Sequence, residues 1–351
     1  VTLDNVSHIQ QMGSLNDSHT TINRFSFSHS RDRLLTIGGD LSMLVWDLHS
    51  GKPVFGPLPG VTFGFFDAKD SLVVGAGHDG QVKFFSATDG KLIQQSQGNT
   101  NGVSFATMSP DGTTFLTGGA NGDIWFWSVA QRVVTRTIPA LSDTGGIQRL
   151  VFAPDGTYFA SIASRDVGVR LWNVANGELI AVLIGFTTFP TDVVFAADGG
   201  AIAVAAPQEL FVFDGHQRNL LYKFHADDLA SENGLAFSPN HKMLAAASTK
   251  DRVYVWSAAD GSALASLPDH VGMITWLAFS PNSQFLVTMT RAGGQGAYLW
   301  NTATFVAGSS KYARATIAQN SNGFFRAVWS PSGDALYLAD LSGAIMVWGV
   351  P

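Results

Sequence analysis

Short apolar runs that close on an aromatic residue punctuate the chain: MLVWDL, VKFFSA, IWFWSV, VRLWNV, LFVFDG, VYVWSA, AYLWNT and IMVWGV, carrying Trp46, Phe85, Trp127, Trp172, Phe213, Trp256, Trp300 and Trp348. They alternate side chains and are rich in β-branched and aromatic residues, which predicts strands with a buried face. Successive aromatic positions lie 39, 42, 45, 41, 43, 44 and 48 residues apart, so the pattern is an internal repeat of nearly constant length. Ahead of most of them comes a second apolar pair of runs split by a tight turn, as in FSFSHSRDRLLTIGG, MSPDGTTFLTGG, FAPDGTYFASIAS, FSPNHKMLAAAS, FSPNSQFLVTMT and WSPSGDALYLAD. Pro fixes φ in such a turn, while Gly or Asn accepts a positive φ. FFDAKDSLVVGAG and FAADGGAIAVAA keep the same order with weaker turn chemistry. After the aromatic run comes a turn such as HSG, TDG, ANG or ADG and a fourth run such as LIQQSQ or LIAVL.

The last unit breaks the pattern. Three strands are expected near 324–329, 335–339 and 344–349, with no fourth run after Trp348. The segment VSHIQQMGSL, Val6 to Leu15, precedes the first unit with no place in it. An open strand edge is an aggregation liability. Residues 6–15 are therefore expected to pair with 344–349 and complete the last unit.

A repeat of this length, with strand–turn–strand followed by an aromatic third strand, resembles the WD40-repeat family. The resemblance covers nearly the whole chain, although only Trp46–Asp47 is a true Trp-Asp pair. It implies an all-β, eight-bladed β-propeller of four-stranded antiparallel blades around a central channel, where seven blades are the commoner number in the family. The expected layout is a single domain over 1–351, with blades at 22–58, 61–97, 103–138, 147–183, 190–224, 234–267, 274–308 and 324–349, and 6–15 as the closing strand. The degenerate repeats, the WGVP ending and the N-terminal lead are similar to bacterial WD40-repeat proteins, some of which are exported. The Val start and the absence of cysteine are compatible with export after signal-peptide removal; a cytoplasmic location is the alternative.

Composition narrows the partners. Apolar residues make up 46% of the chain and charged residues only 14%, with a net charge of −6. There is no run of Lys or Arg, so nucleic acid and anionic membranes, which are bound through clustered cations, are not expected partners. No apolar stretch is long enough to span a membrane as a helix. The lack of cysteine excludes disulfides and thiolate metal sites.

Several constellations invite chemical readings. His19, Thr36, Asp40 and Trp46 contain the groups of a hydrolase. The resemblance assigns them instead to the buried hydrogen-bond network of many WD40 blades, with His19 one residue nearer its strand than the family pattern sets it. The same network is expected in eroded form through Asp79, through Thr117 with Asn121, through Asp166, and through His270 with Thr288. GAGHDG, Gly75 to Gly80, matches G-x-G-x-x-G, but a strand follows it where a dinucleotide site needs a helix, so a turn is expected. Asn5 and Asn16 each begin a glycosylation sequon. No catalytic, cofactor-binding or metal-binding residues are assigned.

One set remains. Aligning the first strands of the units on their AFSP-like ends gives an equivalent position occupied by Arg24, Phe63, Phe105, Arg149, Asp192, Gly234, Trp276 and Arg326. In the family this position lines the partner-binding mouth of the channel. Arg and large aromatics are the types enriched at binding hot spots. The resemblance therefore implies a partner-binding collar of Arg24, Phe63, Phe105, Arg149, Asp192, Trp276 and Arg326, suited to a peptide or loop carrying carboxylate and apolar groups. In the competing reading the aromatics fill a wide channel and the Arg side chains reach water. Phe186, Phe189 and the longer loops at 139–146, 224–234 and 309–325 are further candidates on that face. The functional expectation is a non-enzymatic protein–protein interaction scaffold, a subunit or docking platform of a larger assembly. A propeller-fold enzyme of lyase or hydrolase type and a structural component of an extracellular layer or filament stand as alternatives.

Overall fold

One turn, used eight times, sets the strands of this protein. In the computed structural model the residues Arg31, Asp70, Gly112, Gly156, Gly199, His241, Ser283 and Gly333 all have positive φ, between 53° and 77°. Each donates its N–H to the carbonyl three residues earlier, as in Arg31 to Ser28 at 3.1 Å and Gly112 to Ser109 at 2.8 Å. This is a β-turn ending in a left-handed residue, the connection that matches the twist of the two strands it joins. Where the first residue is Ser, its hydroxyl accepts the N–H five residues on. Ser28, Ser109, Ser238, Ser280 and Ser330 do so at 2.9–3.0 Å. Asp67 does the same for Leu72 at 2.8 Å. The sequence pattern drew attention to Pro and Gly in these turns; the serine ahead of them is an equal part of the motif.

The structure describes residues 9–15, 21–140, 144–225, 229, 234–268, 270, 272–290, 296–309, 311–318 and 323–349. His19, the sequons at Asn5 and Asn16, and parts of the three long loops lie outside them. The described strands form eight four-stranded antiparallel sheets with no α-helix among them. The fold is all-β, an eight-bladed β-propeller. Seven sheets are built from consecutive strands. The eighth joins Phe324–Trp329, Ala335–Asp340 and Ile345–Gly349 to Gln10–Leu15 from the other end of the chain. The register runs from Gln10 opposite Gly349 to Leu15 opposite Ile345, so the expected pairing of the first and last strands is present.

The chain divides into two compact units, Arg24–Val193 and Val1–Asn23 with Val194–Pro351. In the first, one core cluster joins Phe63, Val74 and Phe84 of the second blade to Phe115 and Trp127 of the third. In the other, Val255 and Leu267 of the sixth blade pack with Leu286 and Trp300 of the seventh. Trp127 and Trp300, the aromatics of two third strands, thus bury themselves on a neighbouring sheet. A single blade could not bury its own apolar face, which is why the repeat is stable only in series.

The indole N–H groups show how polar satisfaction follows the sequence. Trp46, Trp127, Trp172 and Trp300 donate to Thr36, Thr117, Ser161 and Thr288 at 3.0, 3.1, 2.8 and 2.9 Å. The hydroxyl always lies on the second strand, two residues beyond the one paired with the Trp. Where Phe85 and Phe213 replace Trp and bring no N–H, the same position holds Gly75 and Val204. In the eighth blade it holds Leu338, and the Trp348 Nε1 is buried with no hydrogen-bond partner among the described residues.

Candidate functional site

In several blades a β-bulge comes just before the collar position. The register skips one residue between Val103 and Phe105, Ile147 and Arg149, Ile274 and Trp276, and Phe324 and Arg326. A bulge bends its strand and re-aims the next side chain. Two of these bulges are held by a hydroxyl. Ser104 Oγ donates to Gly118 O at 3.1 Å and Ile147 O at 2.6 Å. Thr275 Oγ1 donates to Met289 O at 3.5 Å and Phe324 O at 3.3 Å. The hydroxyls therefore tie each bulge to the first strand of the following blade. No sequence signal beyond a polar residue before the collar position pointed to this.

Within the unit Arg24–Val193 the sequence-selected residues come together. The Arg24 guanidinium carbon lies 4.0 Å from the centroid of the Phe63 ring and 5.5 Å from that of Phe105. The two rings are 5.4 Å apart and tilted by 55°. Arg149 approaches the same Phe105 ring at 5.6 Å. Its Nε lies 3.2 Å from Asp192 Oδ1, with side-chain exposures of 18% and 11%. Phe63 is buried, whereas Arg24, Phe105 and Arg149 are half-buried. Five residues from five blades thus form one continuous array, Arg24–Phe63–Phe105–Arg149–Asp192. A cation over a ring face is held by the ring quadrupole, by about 0.5–2 kcal/mol depending on desolvation.

The other unit places a second pair. The Arg326 guanidinium carbon lies 4.7 Å from the centroid of the Trp276 ring, whose Nε1 is buried with no hydrogen-bond partner among the described residues. Gly234 is buried, and a Cβ there would come 2.7 Å from the Ala247 Cβ. Phe189 is exposed and Phe186 half-buried.

The hydrolase-like groups are structural wherever they are described. Thr36 serves the Trp46 indole, and Asp40 accepts from the Ser42 N–H and hydroxyl at 3.1 and 3.0 Å. In the seventh blade the proton directions follow from the Asp251 carbonyl, which can only accept. In neutral His270 the proton is therefore on Nδ1, 3.1 Å from that carbonyl, so Nε2 accepts from the Thr288 hydroxyl at 2.8 Å while Thr288 accepts from the Trp300 indole at 2.9 Å. In the third blade the turn carboxylate is Asp123 rather than Asn121. It accepts from Asn99 Nδ2 at 2.7 Å and Trp125 Nε1 at 2.8 Å. Asn99 lies 18 residues ahead of Thr117 (117 − 99), the spacing of His270 to Thr288, so it fills the histidine position with a different donor. Asp166 is taken up by Arg170 at 2.6 Å and the Gly168 N–H at 3.1 Å, and Ser161 takes the indole instead. Gly80 of the false dinucleotide fingerprint sits at φ 78° in the hairpin between Leu72–Ala76 and Gln81–Ser86.

Among the described residues no group of three or more His, Asp or Glu is placed to hold a metal ion. Among these residues no helix is long and apolar enough to cross a membrane.

Comparison with known proteins agrees with the repeat. The WD40 family (WD domain, G-beta repeat) matches residues 90–128, 207–257 and 261–301. A WD repeat-containing protein of Synechocystis is 30% identical over 169 residues, covering 46% of this chain and 47% of that protein. Autophagy-related protein 16 of Arabidopsis thaliana is 23% identical over 276 residues, covering 76% of this chain and 53% of that protein. The chain spans about half the length of these two relatives. Among solved structures, the computationally designed Ika8 protein superposes with a TM-score of 0.78 at 21% identity, covering 97% of this chain and 100% of that one. That likeness concerns the fold alone.

Proposed function

We propose, from the premise that these are WD40 repeats, that the chain is a non-enzymatic docking platform within a larger protein assembly. A WD40 propeller suits a protein-interaction scaffold in general. The finer reading is that the Arg24–Phe63–Phe105–Arg149 array receives an extended peptide or loop bearing a carboxylate beside an apolar side chain. One observation carries it: two guanidinium groups from different blades flank the single half-buried ring of Phe105, at 5.5 and 5.6 Å. A carboxylate laid along a guanidinium edge takes two parallel, charge-assisted hydrogen bonds, and an apolar neighbour finds the edge of Phe105. The bulges ahead of Phe105 and Arg149 fix these side chains before any partner arrives, which reduces the ordering cost of binding.

The test is affinity capture from the source organism with the protein and its Arg24→Ala/Arg149→Ala variant, both confirmed folded by thermal melting. The proposal expects one or more captured proteins to fall at least about tenfold in the variant, the scale of losing a hot-spot Arg. An unchanged set of captured proteins contradicts it.

A further inference from the structure

At the junction of the fifth and sixth blades an aromatic ring packs between two sheets. Phe224, on the fourth strand of the fifth blade, stacks on Trp256 of the sixth, with ring centroids 4.6 Å apart and planes 22° from parallel. In register, Phe224 pairs with Leu210, three residues before the aromatic Phe213 of its own blade. In the seventh blade the corresponding position, paired with Ala297 three residues before Trp300, is Ala318. A methyl group therefore stands where the fifth blade has a ring. The outer strand is also displaced here, because its register skips Ile317 between Thr316 and Ala318, and a bulge bends the strand that carries it. Beside Ala318 a cleft of about 450 Å³ opens between the seventh and eighth blades, lined by Gln11, Thr316, Ile317, Ala318, Met346 and Trp348.

We infer that this cleft binds a small, uncharged, flat aromatic molecule, its ring laid on Trp348 as the Phe224 ring lies on Trp256. The protein thus carries its own template for the bound state. Trp348 and Met346 are half-buried and two residues apart on one strand, so both stand on the same face of the sheet. Offset stacking is a preferred arrangement of two aromatic rings, and a methionine thioether makes a favourable contact with a ring edge. None of the six lining residues carries a charge. A charged ligand would give up water there and gain no counter-ion. Gln11 and Thr316, both exposed, are the polar members and suit one carbonyl or hydroxyl on the ligand. The volume is within the range of small-molecule sites. This site shares no residue with the Arg24–Arg149 array, so it stands or falls apart from the docking role proposed above.

Two fluorescent probes test it on the full chain. Prodan is an uncharged naphthalene ketone, and anilinonaphthalene sulfonate is a naphthalene with a fixed negative charge. Each is titrated and read by the intensity and wavelength of its emission, with every variant checked by circular dichroism and thermal melting. Ala318→Phe supplies the ring from the chain itself, as Phe224 does. Trp348→Leu removes the stacking platform. Leu221→Gln is the control, an exposed apolar residue of the fifth blade outside the cleft. Should Trp348→Leu unfold, Ala318→Phe decides alone.

The expected result is saturable, blue-shifted Prodan binding, about tenfold or more tighter than that of the sulfonate, whose charge finds no partner in the cleft. Ala318→Phe should weaken Prodan binding about tenfold or more, because the space it needs is filled. Trp348→Leu should weaken it about threefold to tenfold, the scale of one stacked aromatic pair. Leu221→Gln should leave it unchanged. Prodan that binds Ala318→Phe as tightly as the unaltered protein, or that fails to saturate on the unaltered protein, overturns the site. A sulfonate that binds as tightly as Prodan and is displaced by it overturns the uncharged class of ligand.

Discussion

Replacing Thr288 by valine tests the buried network most sharply, because one hydroxyl there serves two partners. Thr288 is fully buried; it accepts from the Trp300 indole at 2.9 Å and donates to His270 Nε2 at 2.8 Å. Valine has the same shape and removes the bond to the Trp300 indole and the bond to His270 Nε2. Each orphaned buried group costs about 1–3 kcal/mol, and the added methyl returns about 0.8 kcal/mol of apolar burial. The net loss is about 3 kcal/mol, more than a hundredfold in the unfolding equilibrium. Thr117→Val is the matched comparison: Thr117 is equally buried, but its hydroxyl serves the Trp127 indole alone, so the same arithmetic gives about 1 kcal/mol. Urea unfolding followed by circular dichroism, with linear extrapolation to water, measures both. A cycle with His270→Phe should show that the Thr288 and His270 effects are less than additive, since the two changes remove the same bond. If Thr288→Val proves no more costly than Thr117→Val, the assigned proton directions and the two-partner role of Thr288 are wrong.

Three further outcomes are expected. Arg31 is exposed with φ 66°, where glycine is free of strain, so Arg31→Gly should raise stability by about 0.5–1 kcal/mol in the same assay; Gly112→Ala, with φ 65° and a Cβ that would meet the Ala68 nitrogen at 2.6 Å, should lower it by more than about 1 kcal/mol. The turn carboxylates predict acid sensitivity: hydrogen bonds from Ser30, Ser109 and Ser330, respectively, hold Asp32, Asp111 and Asp334 below the ordinary range, and the Ser262 N–H leads in holding Asp260 at about 2. Because these folded-state values are depressed, their stabilisation is full above about pH 4 and is lost as pH falls through them toward about 2, so Tm should drop across that window and Asp111→Asn should flatten the slope. Deleting residues 1–15 removes the strand paired to Ile345–Gly349 and should yield an aggregating protein by light scattering, since it opens a sheet edge.

The repeat, the all-β class and the return of the N-terminal strand to the last blade were legible in the sequence because each follows from local pattern: strand period, turn residues and one missing run. The hydroxyl partners were legible only in part. Thr36, Thr117 and Thr288 stood at recognisable spacing, but Ser161 lies 11 residues before its Trp and Thr288 lies 12, against 10 for Thr36, because the turns between those strands differ in length. Register, rather than sequence distance, identifies the position. Asn99 passed unnoticed because a histidine was expected there and an amide can replace it by reaching Asp123 instead. The collar residues were found by aligning strand ends. Their order of contact was not, since the bulges before Phe105 and Arg149 and the ion pair to Asp192 arise from strand geometry that no spacing encodes.

Placing a photo-crosslinking amino acid at position 105 gives the most direct reading of the binding surface, with the same substitution at the exposed Ile184 as control. A partner that docks on the Arg24–Phe105–Arg149 array should crosslink from position 105 and not from 184, through a peptide carrying Asp or Glu beside an apolar residue, and the product should vanish when Arg24 and Arg149 are alanine. A partner that crosslinks equally from both positions, or that persists without the two arginines, contradicts the account.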